Sequence, residues 1–211
     1  MQTVRVSEMF LSLQGESTRA GLPCAFVRLA GCNLRCRWCD TARTWDGENG
    51  REMELADVLQ AVTELGCPRV EVTGGEPMMQ AATPELLARL CDAGLETLLE
   101  TNGSVELSRV DGRVVKIVDV KCPSSGEAGS FLEANLAWLS ERDEVKFVLA
   151  DRADFDYARD ALNRWPGLSR GAVILSPVLD RLNPAELAAW ILDARIDVRL
   201  GVQLHKMIGV P

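Results

Sequence analysis

The chain has 211 residues, of which 47% are hydrophobic, and its formal net charge is −8 at pH 7. This length suits one domain spanning residues 1–211, and the composition is that of a folded globular protein. Nucleic-acid binding calls for a basic stripe and membrane spanning for about 20 consecutive apolar residues, and the sequence contains neither. The first ten residues lack the basic start and apolar stretch of a signal peptide. We therefore expect a cytoplasmic protein with no nucleic-acid or membrane partner, acting on a small molecule.

Short β-branched runs alternate with amphipathic stretches along the chain. Strands are predicted at residues 25–29, 70–73, 96–100, 114–120, 144–149 and 172–176. Helices are predicted at residues 54–65, from an N-cap at Thr83 to residue 93, and at residues 185–194 behind an N-cap at Asn183.

Repeated strand-then-helix units predict parallel strands with right-handed crossovers. About six units are too few for a complete eightfold barrel, which takes about 250 residues. We therefore predict an α/β fold in the form of a partial (β/α)6-type TIM-like barrel, with a flat doubly wound sheet as the alternative. Either architecture places ligands at the carboxyl ends of the strands.

Three of the seven cysteines, Cys32, Cys36 and Cys39, follow the first predicted strand with the spacing C-x3-C-x2-C. Three thiolates on one loop can hold a cubane iron–sulfur cluster and leave its fourth iron without a protein ligand. The alternative is a structural zinc site, but such sites have four protein ligands and the sole histidine, His205, is distant in sequence. The spacing therefore favours a cluster with one open iron. The other cysteines are interpreted as small buried hydrophobes.

A second motif, Gly-Gly-Glu-Pro at residues 74–77, follows the second predicted strand. Gly74 and Gly75 lack a Cβ, so backbone groups there can approach a ligand closely. Glu76, or a backbone carbonyl beside it, is a candidate partner for a ligand's ammonium group. Alone this motif indicates only a turn, but after the cysteine motif it is specific.

The two motifs together resemble the radical S-adenosylmethionine (SAM) superfamily. The resemblance implies a [4Fe–4S] cluster whose open iron chelates SAM, which is cleaved reductively to give a radical that abstracts a substrate hydrogen. It implies that the three cysteines are catalytic, and it places further cofactor contacts at Trp38, Cys39, Asp40, Gly74, Gly75 and Glu76.

Further motifs extend the resemblance over the whole chain. They are Phe-Leu-Ser-Leu-Gln-Gly-Glu at residues 10–16, Cys-Asp-Thr at 39–41, Glu-Thr-Asn-Gly at 100–103, Asp-Val-Lys-Cys-Pro-Ser at 119–124 and the tail from residue 202. This order is similar to that of the 7-carboxy-7-deazaguanine synthase family. Members convert 6-carboxy-5,6,7,8-tetrahydropterin, with loss of ammonia, in 7-deazapurine and queuosine biosynthesis. The resemblance also implies Mg²⁺, an electron donor such as flavodoxin and a homodimer. One departure is Ser17, where family members often have glycine.

Site residues follow from the same resemblance. Substrate contacts are assigned to Leu13, Gln14, Gly15, Arg28, Thr73, His205 and Pro211. Thr41 is assigned to Mg²⁺, and additional cofactor contacts to Cys122, Pro123, Ser124, Ser176, Pro177, Val178 and Leu179.

Several of these assignments have alternatives in the sequence. Arg28 would meet the substrate carboxylate or else pair with a core glutamate. Asp40-Thr41 by itself would be an N-cap pair. Lys121 is either a solvated loop lysine or a polar partner in the site, and His205 is either a ligand contact or a surface residue.

Two rival functions share part of the pattern. An activase that installs a glycyl radical on a partner protein has both motifs but needs no pterin pocket. A non-enzymatic electron carrier would need a fourth cysteine ligand.

Overall fold

The computed structural model describes residues 2–165 and 173–211. The strands are β1 Thr3–Leu13, β2 Pro23–Leu29, β3 Arg51–Glu54, β4 Arg69–Gly74, β5 Glu96–Thr101, β6 Val115–Val120, β7 Glu144–Leu149, β8 Val173–Pro177 and β9 Arg199–Leu200. The α-helices are α1 Leu55–Glu64, α2 Thr83–Asp92, α3 Arg152–Arg164, α4 Pro184–Ala194 and α5 Leu204–Ile208.

In the described residues the strands form one sheet in the order β3-β1-β2-β4-β5-β6-β7-β8-β9. Every neighbouring pair from β2 to β9 is parallel. At the other edge, β1 is antiparallel to both β2 and β3. Because β3 and β9 occupy opposite edges, the sheet does not close. The predicted α/β fold, a partial TIM-like barrel with a parallel centre, is confirmed.

The six predicted strands appear within two residues of their expected bounds, although Ala172 lies outside the described residues. The predicted N-cap of α2 is wrong: Ala82 holds that position, and the Thr83 hydroxyl donates to the Pro77 carbonyl at 2.6 Å. The predicted cap of α4 is confirmed, since the Asn183 side chain accepts from the Ala185 amide. Strict strand–helix alternation fails between β5 and β7, where only short 3₁₀ turns occur.

The two faces of the sheet differ in polarity because successive side chains of a strand point to opposite sides. The outer face is apolar and packs against the helices; Val72, Leu99 and Phe147 are fully buried there with Leu86 and Leu87 of α2. The inner face carries charged strand residues, which are the buried Glu71, Asp119, Glu144 and Lys146 and the partly exposed Glu100. None of the helices in residues 2–165 and 173–211 has the length and apolar character needed to cross a bilayer.

Candidate active site

A cavity of about 900 Å³ lies against the inner face of the sheet. The loops that follow β2, β4, β5, β6 and β8 contribute to its wall, as the parallel topology requires. The thiols of Cys32, Cys36 and Cys39 line one side, and the tail residues His205 and Pro211 line another. The cysteine motif and the C-terminal motif, far apart in sequence, therefore share one cavity.

The cysteine loop is tied to the turn that follows it. The Gly31 amide donates to the Thr44 carbonyl at 2.7 Å, and the Cys32 amide to the Trp45 carbonyl at 3.2 Å. Burial raises the pKa of Cys36 to about 11 and also raises that of Cys32, so metal binding would have to displace their protons.

A mononuclear metal site is not formed by these thiols. In the part of the chain that the structure describes, no three His, Cys, Asp or Glu side chains converge on a position for a single ion. A tetrahedral zinc site requires such convergence. The three thiols line one cavity, which suits a cluster bound by three cysteines.

Gly74 and Gly75 bring β4 against the cysteine loop. A Cβ on Gly74, where φ is +140°, would overlap the backbone of Leu29, and a Cβ on Gly75 would overlap the Gly31 carbonyl. The Gly75 amide donates to the Leu29 carbonyl at 3.0 Å. Both glycines line the cavity, but their first function is close backbone contact between the two motifs.

Glu76 does not line the cavity, and its predicted contact with the cofactor stays a prediction. It is fully buried, and its carboxylate accepts from the amides of Met78 and Asn102 and from the Thr101 hydroxyl, at 2.7–2.9 Å. Burial raises the pKa of Glu76 while these hydrogen bonds lower it, with a net rise. Its carboxylate therefore joins the ends of β4 and β5 through three hydrogen bonds.

Of the other predicted cofactor residues, those on the cavity wall are Trp38, Cys39, Asp40, Cys122, Val178 and Leu179. Four lie off the wall, which are Pro123, Ser124, Ser176 and Pro177. Ser124 faces α3, where its amide donates to Asp154 and its hydroxyl to Asp151. The neighbouring Ser125 lines the cavity instead, because residues 123–125 form a 3₁₀ turn.

Lys146 is the centre of an ion network on the inner face. Its side chain is 2% exposed, and its ammonium group contacts Glu16, Glu100 at 2.5 Å and Asp119 at 3.3 Å. Burial would raise the pKa of Glu16, but the charge of Lys146 and hydrogen bonds lower it below its usual value. The three carboxylates raise the pKa of Lys146 despite burial, so the lysine stays charged.

Lys121 belongs to the same network, and its nitrogen lies 3.0 Å from Asp119. Of the two interpretations made from sequence, the polar partner is therefore correct. Asp119 remains ionised because the charges of Lys121 and Lys146 lower its pKa against the effect of burial. Its second oxygen, Oδ1, is buried without a hydrogen-bond partner among the described residues. Asp119 lines the cavity through the rest of its side chain.

Gln14 and Glu71 form a second polar pair, with Gln14 Nε2 donating to Glu71 Oε2 at 2.5 Å. Burial and then the nearby Glu100 carboxylate raise the pKa of Glu71 well above its usual value. Gln14 also accepts from the amides of Glu16 and Ser17, which fixes the turn after β1.

Ser17 causes no strain in this turn. Arg195 alone among the described non-glycine residues has a positive φ, so the backbone at Ser17 does not require glycine. The Ser17 hydroxyl accepts from the Arg19 amide at 3.0 Å and stabilises the loop.

Arg28 pairs with a glutamate, as the sequence alternative anticipated, but this glutamate, Glu8, is 34% exposed and is not a core residue. The Arg28 Nε donates to Glu8 Oε1 at 2.7 Å, yet Arg28 also lines the cavity. Leu13, Gly15 and Thr73 lie on the same wall.

The C-terminal segment closes one side of the cavity. A Cβ on Gly15 would overlap Nδ1 of His205, so the imidazole lies directly on the β1 turn and is not a surface residue. Lys206 forms an ion pair with Asp40 at 2.8 Å, and the Ser12 hydroxyl donates to the Pro211 carbonyl oxygen at 2.7 Å.

Thr41 occupies the N-cap position of the 3₁₀ turn at residues 42–44, as the sequence alternative expected, but its side chain makes no cap hydrogen bond. Its hydroxyl lies 3.7 Å from Cys39 Sγ, on the cavity wall. It is therefore available to a ligand or ion.

Sequence reasoning did not assign several wall residues, which are Phe10, Glu16, Phe26, Arg43, Trp45, Glu71, Glu100, Asn102, Asp119, Lys146 and Gln203. A usable signal existed for the charged strand residues. Charges in the middle of otherwise apolar parallel strands are costly unless paired, so they indicate a polar inner face.

Comparison with known proteins agrees with this geometry. Residues 27–191 match the family model described as the radical SAM superfamily. The chain is 44% identical to the 7-carboxy-7-deazaguanine synthase of Koribacter versatilis, with 99% of this chain and 98% of the relative covered. It is also 44% identical to that of Chlorobaculum tepidum, with 99% and 95% covered. The crystal structure of QueE from Escherichia coli is similar, with a TM-score of 0.80, 26% identity, and 96% and 95% of the two chains covered.

Proposed function

The chain belongs to the radical SAM superfamily and, within it, to the 7-carboxy-7-deazaguanine synthase family, and from this membership we propose the reaction that its cavity carries out. The protein is a radical SAM lyase that converts 6-carboxy-5,6,7,8-tetrahydropterin to 7-carboxy-7-deazaguanine with loss of ammonia. The observation that carries the proposal is the shared cavity, in which three thiols, a charged inner face and the C-terminal segment meet.

The cluster and SAM belong on the side of the cysteines. Cys32, Cys36 and Cys39 would hold a [4Fe–4S] cluster, and the wall beside them offers an aromatic ring at Trp38 and the exposed backbone of Gly74. When bound, the two groups supply one-electron reduction and hydrogen abstraction. The chain's own task is to hold the substrate against them and to exclude water.

The pterin belongs on the inner face of the sheet. Asp119 and the Gln14–Glu71 pair line this face and offer acceptors and donors for the ring's polar edge. His205 and Pro211 would close the pocket, and the outer nitrogens of Arg28 would receive the substrate carboxylate. Thr41, whose hydroxyl forms no cap hydrogen bond, would be the Mg²⁺ ligand, because Mg²⁺ takes few protein ligands and keeps several waters.

The remaining assignments are part of the same proposal. Residues 1–211 form one domain, supported by a sheet that includes strands from residue 3 to residue 200. The protein is cytoplasmic, is a homodimer and receives electrons from a donor such as flavodoxin. A glycyl-radical activase is disfavoured because the Lys206–Asp40 ion pair and the Ser12–Pro211 hydrogen bond hold the tail over the cavity.

The test is turnover by the protein reconstituted anaerobically with iron and sulfide. Dithionite, SAM, Mg²⁺ and 6-carboxytetrahydropterin are added, and products are measured by mass spectrometry. We expect 7-carboxy-7-deazaguanine and ammonia, lost in Cys36→Ala but retained in Cys91→Ala, a matched cysteine outside the cavity. Cleavage of SAM without the pterin product would retain the radical chemistry and refute the substrate.

A further inference from the structure

Two arginines on the cavity wall share one carboxylate that lies off the wall. Glu8 Oε1 accepts from Arg28 Nε at 2.7 Å and from Arg43 Nη2 at 2.6 Å. Arg28 and Arg43 both line the cavity, whereas Glu8 does not. The carboxylate therefore holds the two guanidinium groups from outside the cavity, and both groups remain on the wall.

The geometry of β1 produces this arrangement. A register shift between Val6 and Glu8 places Glu8 directly opposite Arg28 on β2, where opposite charges attract across the strands. The Arg28 guanidinium also lies 5.8 Å from the centre of the Phe10 ring. Arg28 is 17% exposed, and its orientation is thus set by two neighbours.

Arg28 is bound through its inner nitrogen only. In residues 2–165 and 173–211, no hydrogen bond occupies its outer nitrogens, Nη1 and Nη2. A planar guanidinium with Nε occupied can still donate both outer N–H groups to a carboxylate. Its hydrogen-bond geometry suits an anion, but its charge is already balanced by Glu8.

Arg43 changes that charge balance. Burial would raise the pKa of Glu8, but the hydrogen bonds from Arg28 and Arg43 lower it, so Glu8 is ionised at neutral pH. Glu8 and Arg28 alone carry no net charge, whereas the trio of Glu8, Arg28 and Arg43 carries one positive charge. Only the trio therefore matches a ligand carboxylate of one negative charge.

Arg43 is also free enough to reach a ligand. It lies in the turn after Thr41, is 57% exposed, and its side chain has Glu8 as its hydrogen-bond partner among the described residues. The Arg43 carbonyl accepts from Asn49 at 3.2 Å, which anchors the backbone of this turn.

We propose that Arg43 is a second substrate-binding residue, which with Arg28 holds the carboxylate of the pterin and selects carboxylated over uncarboxylated pterins. This inference rests on the proposed function, since it takes the substrate to be a 6-carboxypterin derivative. Glu8 is the positioning residue that keeps the two guanidinium groups together.

The test compares two ligands that differ only in the carboxylate, 6-carboxypterin and pterin. Binding to the cluster-loaded protein with SAM is measured by the ligands' fluorescence anisotropy at pH 7. Mg²⁺ and reductant are omitted, so that neither the metal nor turnover contributes. In Arg43→Met we expect 6-carboxypterin to bind about 5- to 20-fold more weakly, because one charge-assisted contact is lost. Pterin should be unaffected.

Two further variants separate charge from structure. Arg43→Lys keeps the charge and should retain most of the preference for 6-carboxypterin. Arg89→Met removes an arginine of α2 that also pairs with a glutamate, Glu85, but lies outside the cavity. This control should bind both pterins as the parent does. Added salt should reduce the preference in the parent and have little effect in Arg43→Met, whose remaining pair is neutral.

The outcomes are distinct. A parent that prefers 6-carboxypterin and loses this preference in Arg43→Met supports the proposal. Retention of the preference in Arg43→Met overturns the role of Arg43 and leaves the proposed function intact. A parent that binds neither pterin overturns the proposed substrate and, with it, this inference.

Discussion

Lys146→Met removes the only cation that contacts three acidic side chains at once among the described residues. The lysine is 2% exposed, so its loss leaves Glu16, Glu100 and Asp119 partly uncompensated inside the barrel. Breaking a buried ion pair in this way costs about 3–5 kcal/mol. For 211 residues, with an unfolding entropy of about 2.1 cal/mol/K per residue, this cost lowers Tm by about 7–11 °C.

Lys116→Met is the matched control. Lys116 is also buried and pairs with Asp143 at 3.0 Å, outside the cavity. Asp143 keeps other donors, the amides of Lys116 and Ser140 and the Ser140 hydroxyl. We therefore expect a smaller loss, about 1–3 kcal/mol.

The assay is anaerobic thermal unfolding followed by circular dichroism, with all proteins at equal iron content, at pH 8 and pH 5. In the parent, Lys146 helps to lower the pKa of Glu16 and Asp119, so these groups contribute stability above their ordinary pKa values. The variant lacks that contribution, and its buried carboxylates take up protons as the pH falls. Its deficit in Tm should be largest at pH 8 and narrow at pH 5. A deficit no larger than that of Lys116→Met, or one independent of pH, would refute the reasoning.

Three more changes test the site. Gly75→Ala should lose about 1–3 kcal/mol of stability and most of its bound iron, because the new Cβ would overlap the Gly31 carbonyl. The control Gly112→Ala adds a Cβ in open space and should match the parent in iron content. Gly15→Ala should keep its iron and raise KM several-fold, because its Cβ would displace only the His205 side chain, and an unchanged KM would contradict this placement. In urea unfolding, Glu71→Gln should equal the parent near pH 5 and become more stable than the parent as the pH rises, by up to about 1.4 kcal/mol per pH unit, because the raised pKa of Glu71 costs the parent stability at every pH above the ordinary pKa of a glutamate. Parallel pH profiles of the two proteins would exclude the raised pKa.

The inner face of the sheet explains how a chain of net charge −8 builds a polar cavity without losing its fold. The apolar outer face packs on the helices, and each inner charge has a partner from another strand or loop. Glu100 and Lys146 come from β5 and β7, which are not adjacent in the sheet. Their long side chains point to the same face and meet across β6 at 2.5 Å.

The local features of the chain were determined by its sequence. The β-branched runs, the 3.6-residue period of α1 and the Asn183 cap are encoded by neighbouring residues, so the central strands and three helices were predicted to within a few residues. The C-x3-C-x2-C spacing determined the cluster chemistry for the same reason, since all its ligands lie within eight residues.

Tertiary structure decided which side chains share the cavity. The sequence could not show that the Glu76 carboxylate would accept hydrogen bonds from Thr101 and Asn102 at the end of β5. It also could not show that Ser125, and not Ser124, would line the cavity. It could not pair Glu8 with two arginines, because that contact depends on a bulge in β1 and on a turn 35 residues away. Such contacts join residues distant in the chain, and their geometry exists only once the sheet has curved and the tail has closed over it.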